Sequence, residues 1–96
     1  MKLQIHRAAR AEQREAATRY AAIDEVLAER FVVEVAYAYS QIVEHPDRWP
    51  RHQKDTQRYR LHGFPFNVIY RALSDRVRII AVAHTSRAPD YWEGRR

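Results

Sequence analysis

Ninety-six residues, 46% of them hydrophobic and 11% aromatic, suffice for one small core in a single domain spanning 1–96. The absence of cysteine excludes disulfide staples and thiolate-bound zinc, the two glycines and four prolines argue against a low-complexity chain, and no apolar run reaches the ~18 residues of a membrane span. The formal charge of +5 rests on fifteen arginines and two lysines, and arginine favours bidentate contacts to phosphate and carboxylate, so the expected partner is a nucleic acid or an acidic protein.

Leu3 and Ile5 alternate with Lys2, Gln4 and His6, the pattern of a short strand. These opening residues contain no apolar run of signal-peptide length, so a cytoplasmic protein is expected. From Ala8 to Glu44 the chain is rich in helix formers and lacks glycine and proline. One helix of that length would run to roughly 55 Å at 1.5 Å per residue, too long for so small a domain. A break is therefore expected at Ile23-Asp24, with Asp24 as N-cap and Glu25 in the first turn of a second helix. The first helix of this hairpin offers Ala9, Ala16, Tyr20 and Ile23 to the core, and the second offers Leu27, Phe31, Val35, Tyr39 and Ile42. Pro46 stops the second helix at His45.

A loop containing Trp49-Pro50 follows, then a strand over Arg58–His62 with Tyr59 and Leu61 on one face and Arg58, Arg60 and His62 on the other, broken by Gly63. The strongest strand signals are Phe64–Leu73 and Val77–His84, joined by Ser74-Asp75-Arg76 as an antiparallel hairpin. Both carry apolar residues on both faces, Ile80 and Val82 alternating with Ile79 and Ala81, as central strands do. Residues Pro89–Arg95 read as one helical turn. The expected fold is α+β: an N-terminal strand, a helical hairpin, then a twisted antiparallel sheet of about three further strands, with the helices on one face.

The chain has no glycine-rich phosphate loop and no nucleophile elbow, and its histidines (His6, His45, His52, His62 and His84) never recur at i, i+4 as zinc ligands on a helix would, so no metal or cofactor is expected. His84 leaves an apolar strand just before Arg87 and has the chemistry of a general acid or base, or of a strand-end structural histidine. Arg71 and Arg87 could hold phosphate or form surface ion pairs, and Tyr91 and Trp92 could stack on bases or anchor the chain end. The row Arg58, Arg60, His62 could track a phosphate backbone or simply be the solvated side of its strand.

The run Phe64-Pro65-Phe66 through Tyr70-Arg71, then Ile80-Ala81-Val82-Ala83-His84, then Arg87-Ala88-Pro89-Asp90-Tyr91-Trp92, resembles the carboxy-terminal half of the RelE/ParE toxins of type II toxin–antitoxin systems. The resemblance implies a toxin held in a hetero-oligomer by a cognate antitoxin whose acidic segment wraps it. RelE-like members cut mRNA on the ribosome; on that reading His84, Arg87 and Tyr91 would surround the scissile phosphate. ParE-like members inhibit DNA gyrase and need no catalytic centre; on that reading Arg58, Arg60, Arg71, Arg87, Trp92 and Arg95 would meet the target or its nucleic acid. Aligned on the final hairpin, an active arginine of RelE falls on Asn67, its arginine after the last strand on Ser86 with Arg87 next, and its terminal tyrosine on Trp92 with Tyr91 just before. The missing arginine at Asn67 favours the ParE-like branch, with the endoribonuclease as the alternative.

Overall fold

The computed structural model describes residues Met1–Arg96. Strand β1 (Lys2–Ile5) leads into helix α1 (Arg7–Ile23), helix α2 (Glu25–Glu44), then β2 (Gln57–Arg60), β3 (Phe66–Ala72) and β4 (Arg76–His84). The strands form one sheet in the order β1-β4-β3-β2. The β2–β3 and β3–β4 pairs are antiparallel as expected, whereas β1 lies parallel to β4, with Leu3 opposite Val77 and Ile5 opposite Ile79. A parallel neighbour needs a long connection, and here the helical hairpin, β2 and β3 all lie between β1 and β4 in the chain.

Local chemistry sets the helix ends. His6 Nδ1 accepts the Ala8 N–H at 3.0 Å and caps α1, and Asp24 Oδ1 accepts the Val26 N–H at 2.9 Å and caps α2. The helix break therefore falls at Asp24, and α2 stops at His45 before Pro46. On α2 the stripe Phe31, Val35, Tyr39 and Ile42 is buried, and Leu27 is half-buried. On α1 only Ala9 and Ala16 are fully buried; Tyr20 is half-buried against Phe31 and Phe64, and Ile23 is 75% exposed. Ile23 is the last residue of α1, past the rim that Tyr20 already occupies, so the helical period continues beyond anything to pack against.

The helices cover one sheet face, where Tyr59, Phe66, Val68, Tyr70, Val77 and Ile79 join them in the main core. A smaller apolar cluster on the opposite face joins Ile69, Ile80, Ala81 and Ala83 to Trp92. The expected strict alternation along β4 fails, because Ile69 pairs with Ala81 while Tyr70 pairs with Ile79, leaving Ile80 as an extra residue. This bulge turns Ile80 and Ala81 to the same face and puts Val82 in the helix-side core with Val77 and Ile79. Residues Ala88–Arg95 form successive turns, closed by Tyr91 N–H to Ala88 O, Glu93 N–H to Asp90 O and Arg95 N–H to Trp92 O.

Candidate functional site

The bulge shapes the site. Strand β1 ends at Ile5, and His6 N–H takes the Ile79 carbonyl at 2.9 Å. Beyond Ile79 that edge of β4 has no partner strand, so its backbone groups need other partners. Glu12, reaching from α1, accepts the Val82 N–H at 3.0 Å, and Arg95, returning in the tail, donates to the Ile80 carbonyl at 3.2 Å. The two side chains also form a bidentate pair, Arg95 Nη1 to Glu12 Oε1 at 2.8 Å and Nη2 to Oε2 at 3.0 Å. Tyr91 donates its hydroxyl to Glu12 Oε2 at 2.6 Å. Helix α1 and the carboxy-terminal tail are thus latched together around the open edge of the sheet.

Two small cavities flank this latch, and His84 and Arg87 line both. The larger, about 400 Å³, lies on the helix side with Glu15, Arg19 and Phe66 in its wall. The smaller, about 150 Å³, lies on the other side, where Asn67, Arg58, His52 and Trp92 also contribute. The structure therefore brings His84 and Arg87 together, with Tyr91 linked to them through the Arg87 guanidinium stacked 3.9 Å from the Tyr91 ring centre.

The chemistry of these groups is narrower than their types suggest. His84 Nδ1 accepts the Ser86 N–H at 3.0 Å and lies 2.7 Å from the Ser86 hydroxyl. This bond assigns the proton of the neutral ring to Nε2, so His84 presents a donor rather than a lone pair to the cavities. The Tyr91 hydroxyl is committed to Glu12; burial first, then the hydrogen bond to Glu12 and its charge, push its ionisation far above the ordinary tyrosine range. The Tyr91 hydroxyl is spent on Glu12 and His84 Nδ1 on Ser86, so neither atom is free to take a proton from a substrate. The arrangement can instead hold an anion, with Arg87 and Arg58 exposed and free of ion pairs.

The remaining candidates separate clearly. Arg58 and Arg60 stand exposed on the face away from the helices, while Arg71 is half-buried there and donates to the Lys54 carbonyl at 3.1 Å. Trp92 is 2% exposed, which removes it as a stacking surface for a target; it is the anchor of the second core, and the ring must be covered because Ile69 and Ile80 beneath it are apolar. Arg95 is likewise consumed by Glu12 and the Ile80 carbonyl rather than offered to a partner. The strand expected over Arg58–His62 ends at Arg60, and His62 leaves the row of Arg58 and Arg60: it lies outside both cavities beside α2, its ring 3.9 Å from Glu34 and its N–H donating to the Glu34 carboxylate at 3.1 Å.

Sequence reasoning missed Glu12 and His52. His52 arrives on the loop between α2 and β2, which is held from below by Gln57 donating to the Pro46 and Trp49 carbonyls and by the Tyr70 hydroxyl donating to Pro46 at 2.7 Å. Its ring packs 5.9 Å from Trp92, and burial, followed by the charge of Arg58, lowers its proton affinity. No spacing in the sequence signals either residue, since each acquires its role from a contact across the chain. No group of three or more His, Cys, Asp or Glu side chains gathers to hold a metal ion.

No curated protein matches the chain. Among solved structures the fold is similar to one from the chromosomal ParDE TA system of P. aeruginosa, with a TM-score of 0.75 and 17% sequence identity over 88% of this chain and 95% of that one. Residues 3–89 match the model of the family described as ParE toxin of type II toxin–antitoxin system, parDE. The strand, helical hairpin and sheet are the fold shared with that solved structure, and by its match over residues 3–89 the chain belongs to the ParE toxin family of type II toxin–antitoxin systems.

Proposed function

We propose that this toxin arrests growth by binding DNA gyrase rather than by cutting RNA, that it acts in the cytoplasm, and that a cognate antitoxin with an acidic segment neutralises it in a hetero-oligomer. The observation that carries the binding reading is the commitment of His84 and Tyr91, the two side chains best suited to proton transfer, to Ser86 and Glu12. A ribonuclease that activates a 2′-hydroxyl needs a base with a free lone pair. A toxin that works by occupancy needs only surface, and this one has exposed arginines beside the two cavities. Membership of the ParE family supports the antitoxin partner, and the charge of +5 supports its acidity.

The test is to express the chain alone and follow DNA supercoiling and protein synthesis in parallel, then to assay purified toxin against gyrase. Supercoiling should fail first, and gyrase should be inhibited at micromolar toxin. Untouched supercoiling together with cleaved message in a translation extract would overturn the reading in favour of the ribonuclease. Toxin and antitoxin should associate more slowly as salt rises.

A further inference from the structure

The charge of the chain is divided between its layers. Residues 7–44, which form the helical layer, hold seven carboxylates against five arginines, whereas the rest of the chain holds twelve basic residues against five carboxylates. None of the four strands contains a carboxylate. On the sheet face away from the helices, strand alternation sets out Lys2, Arg58, Arg60, Arg71, Arg76 and Arg78. The positive charge is therefore concentrated on that face, around the apolar cluster of Ile69, Ile80 and Trp92.

Its strands supply no anions, and Asp55 and Glu93 line a pocket beside Arg71. Of the fifteen arginines only Arg76 and Arg95 lie within ion-pair distance of a carboxylate. Arg71 and Arg78 are direct cross-strand partners and both half-buried, a like-charge pairing that sheets disfavour. The Arg78 Nε is buried without any acceptor. At the other end of the same face, Arg58, Arg87, Asn67 and His52 converge on the cavity of about 150 Å³. Arg58, Arg87 and Asn67 offer N–H donors, and no carboxylate lines that cavity. Asn67 and Arg71 are four residues apart on β3, or about 13 Å at the usual rise of a strand. At 3.4 Å of axial rise per nucleotide, that span is about four nucleotides of one strand.

We propose that the sheet face opposite the helices is a nucleic-acid backbone site, in which the cavity of His52, Arg58, Asn67 and Arg87 seats one phosphodiester and the Arg71–Arg78 pair a second. Trp92 is buried between them and leaves no aromatic surface for base stacking, so the site reads backbone charge and not sequence. The site goes beyond gyrase inhibition, because it gives the toxin a grip on nucleic acid that needs no other protein.

The experiment is fluorescence anisotropy of labelled duplex DNA and, separately, of a single-stranded RNA, each titrated with the purified chain between about 50 and 200 mM salt. Replacing Arg58 and Arg87 together by Gln empties the one phosphodiester seat of the cavity. The slope of log K against log salt should fall by about 1, and affinity at 0.1 M salt should drop roughly eightfold. The companion variant, with Arg10→Gln and Arg14→Gln on the exposed side of α1, removes the same charge from the helical layer and should bind within about twofold of the parent. Thermal melts establish that each variant is folded. The DNA and RNA arms identify which backbone is held, and tight binding of either with this pattern supports the site. It is overturned if neither nucleic acid binds, if the helical variant loses as much as the sheet variant, or if polyglutamate competes as well as nucleic acid, which would make the face a docking surface for an acidic protein. Because gyrase is absent from the assay, failure here leaves the gyrase result to stand or fall separately.

Discussion

Replacing Glu12 by Ala should damage the fold out of proportion to its position on a half-exposed helix. The Glu12 carboxylate accepts the Val82 N–H at 3.0 Å, the Tyr91 hydroxyl at 2.6 Å and two Arg95 nitrogens at 2.8 and 3.0 Å. Its side chain is 13% exposed and that of Arg95 18%, so the pair is shielded without being fully dry. Most of the cost comes from what is left behind: a guanidinium without its counter-charge and a bulged strand edge whose N–H has no acceptor. Breaking a fully buried pair costs about 3–5 kcal/mol, and partial exposure sets the value here near the lower end, about 3 kcal/mol. A domain of this size has roughly 5–15 kcal/mol of stability, and each kcal/mol moves its melting temperature by about 4–8 °C, so the midpoint should fall by about 12–24 °C. Urea unfolding followed by circular dichroism measures the loss directly. Glu15→Ala, an exposed neighbour on the same helix, should stay within about 0.5 kcal/mol. In a double-mutant cycle with Arg95→Ala, the two losses should fail to add by about 1–3 kcal/mol. A Glu12→Ala loss below about 1 kcal/mol, or additive losses, would refute the claim that this pair holds the tail to α1 around the open edge.

Trp92→Ala empties the centre of the second core, where the indole is 2% exposed, and should cost about 3–5 kcal/mol in the same urea assay; a loss under about 1 kcal/mol would mean that the tail is dispensable to the fold. Acid should weaken the protein through His6 and His52. Burial first, then the charges of Arg95, Arg78 and Arg7, depress the proton affinity of His6 below its ordinary 6.5, with Glu12 opposing, and His52 is depressed in the same direction by burial and Arg58. The unfolded chain then binds protons that the folded chain refuses, so this stability is complete above pH 6.5 and is lost as pH falls below it. Protonating His6 at Nδ1 would also abolish the cap on α1. The urea midpoint should therefore drop between pH 7 and pH 5, and His6→Asn, which keeps an N-cap acceptor, should flatten part of that drop; a pH-independent midpoint would contradict it.

The elements were legible in the sequence because their signals are local. The helix break at Asp24 follows from a capping side chain, the stop at His45 from Pro46, and the buried stripe of α2 from its helical period. The resemblance carried by Phe64-Pro65-Phe66 and the tail likewise lay in the sequence, and the family match over residues 3–89 agrees with it. Ile23 shows the limit of the helical period, which continues past the end of the surface it would pack on.

What only the tertiary structure decided are the features that depend on two distant segments meeting. The bulge at Ile80 leaves no mark in an apolar run, because every residue there is hydrophobic on either register; it is the pairing with Ile69 and Tyr70 that moves Val82 to the helix side. The roles of Glu12 and Arg95 arise from 83 residues of separation, where a helix carboxylate and a tail guanidinium find the same unpaired strand edge. Tyr91 and His84 offer acid–base chemistry when read as residue types, and only the fold shows that the Tyr91 hydroxyl bonds Glu12 and that His84 Nδ1 accepts the Ser86 N–H. The sequence by itself determined the strand, the helical hairpin, the sheet and the family. The folded chain determined which polar groups are committed and which arginines remain free, because a hydrogen bond spent inside the fold is unavailable outside it.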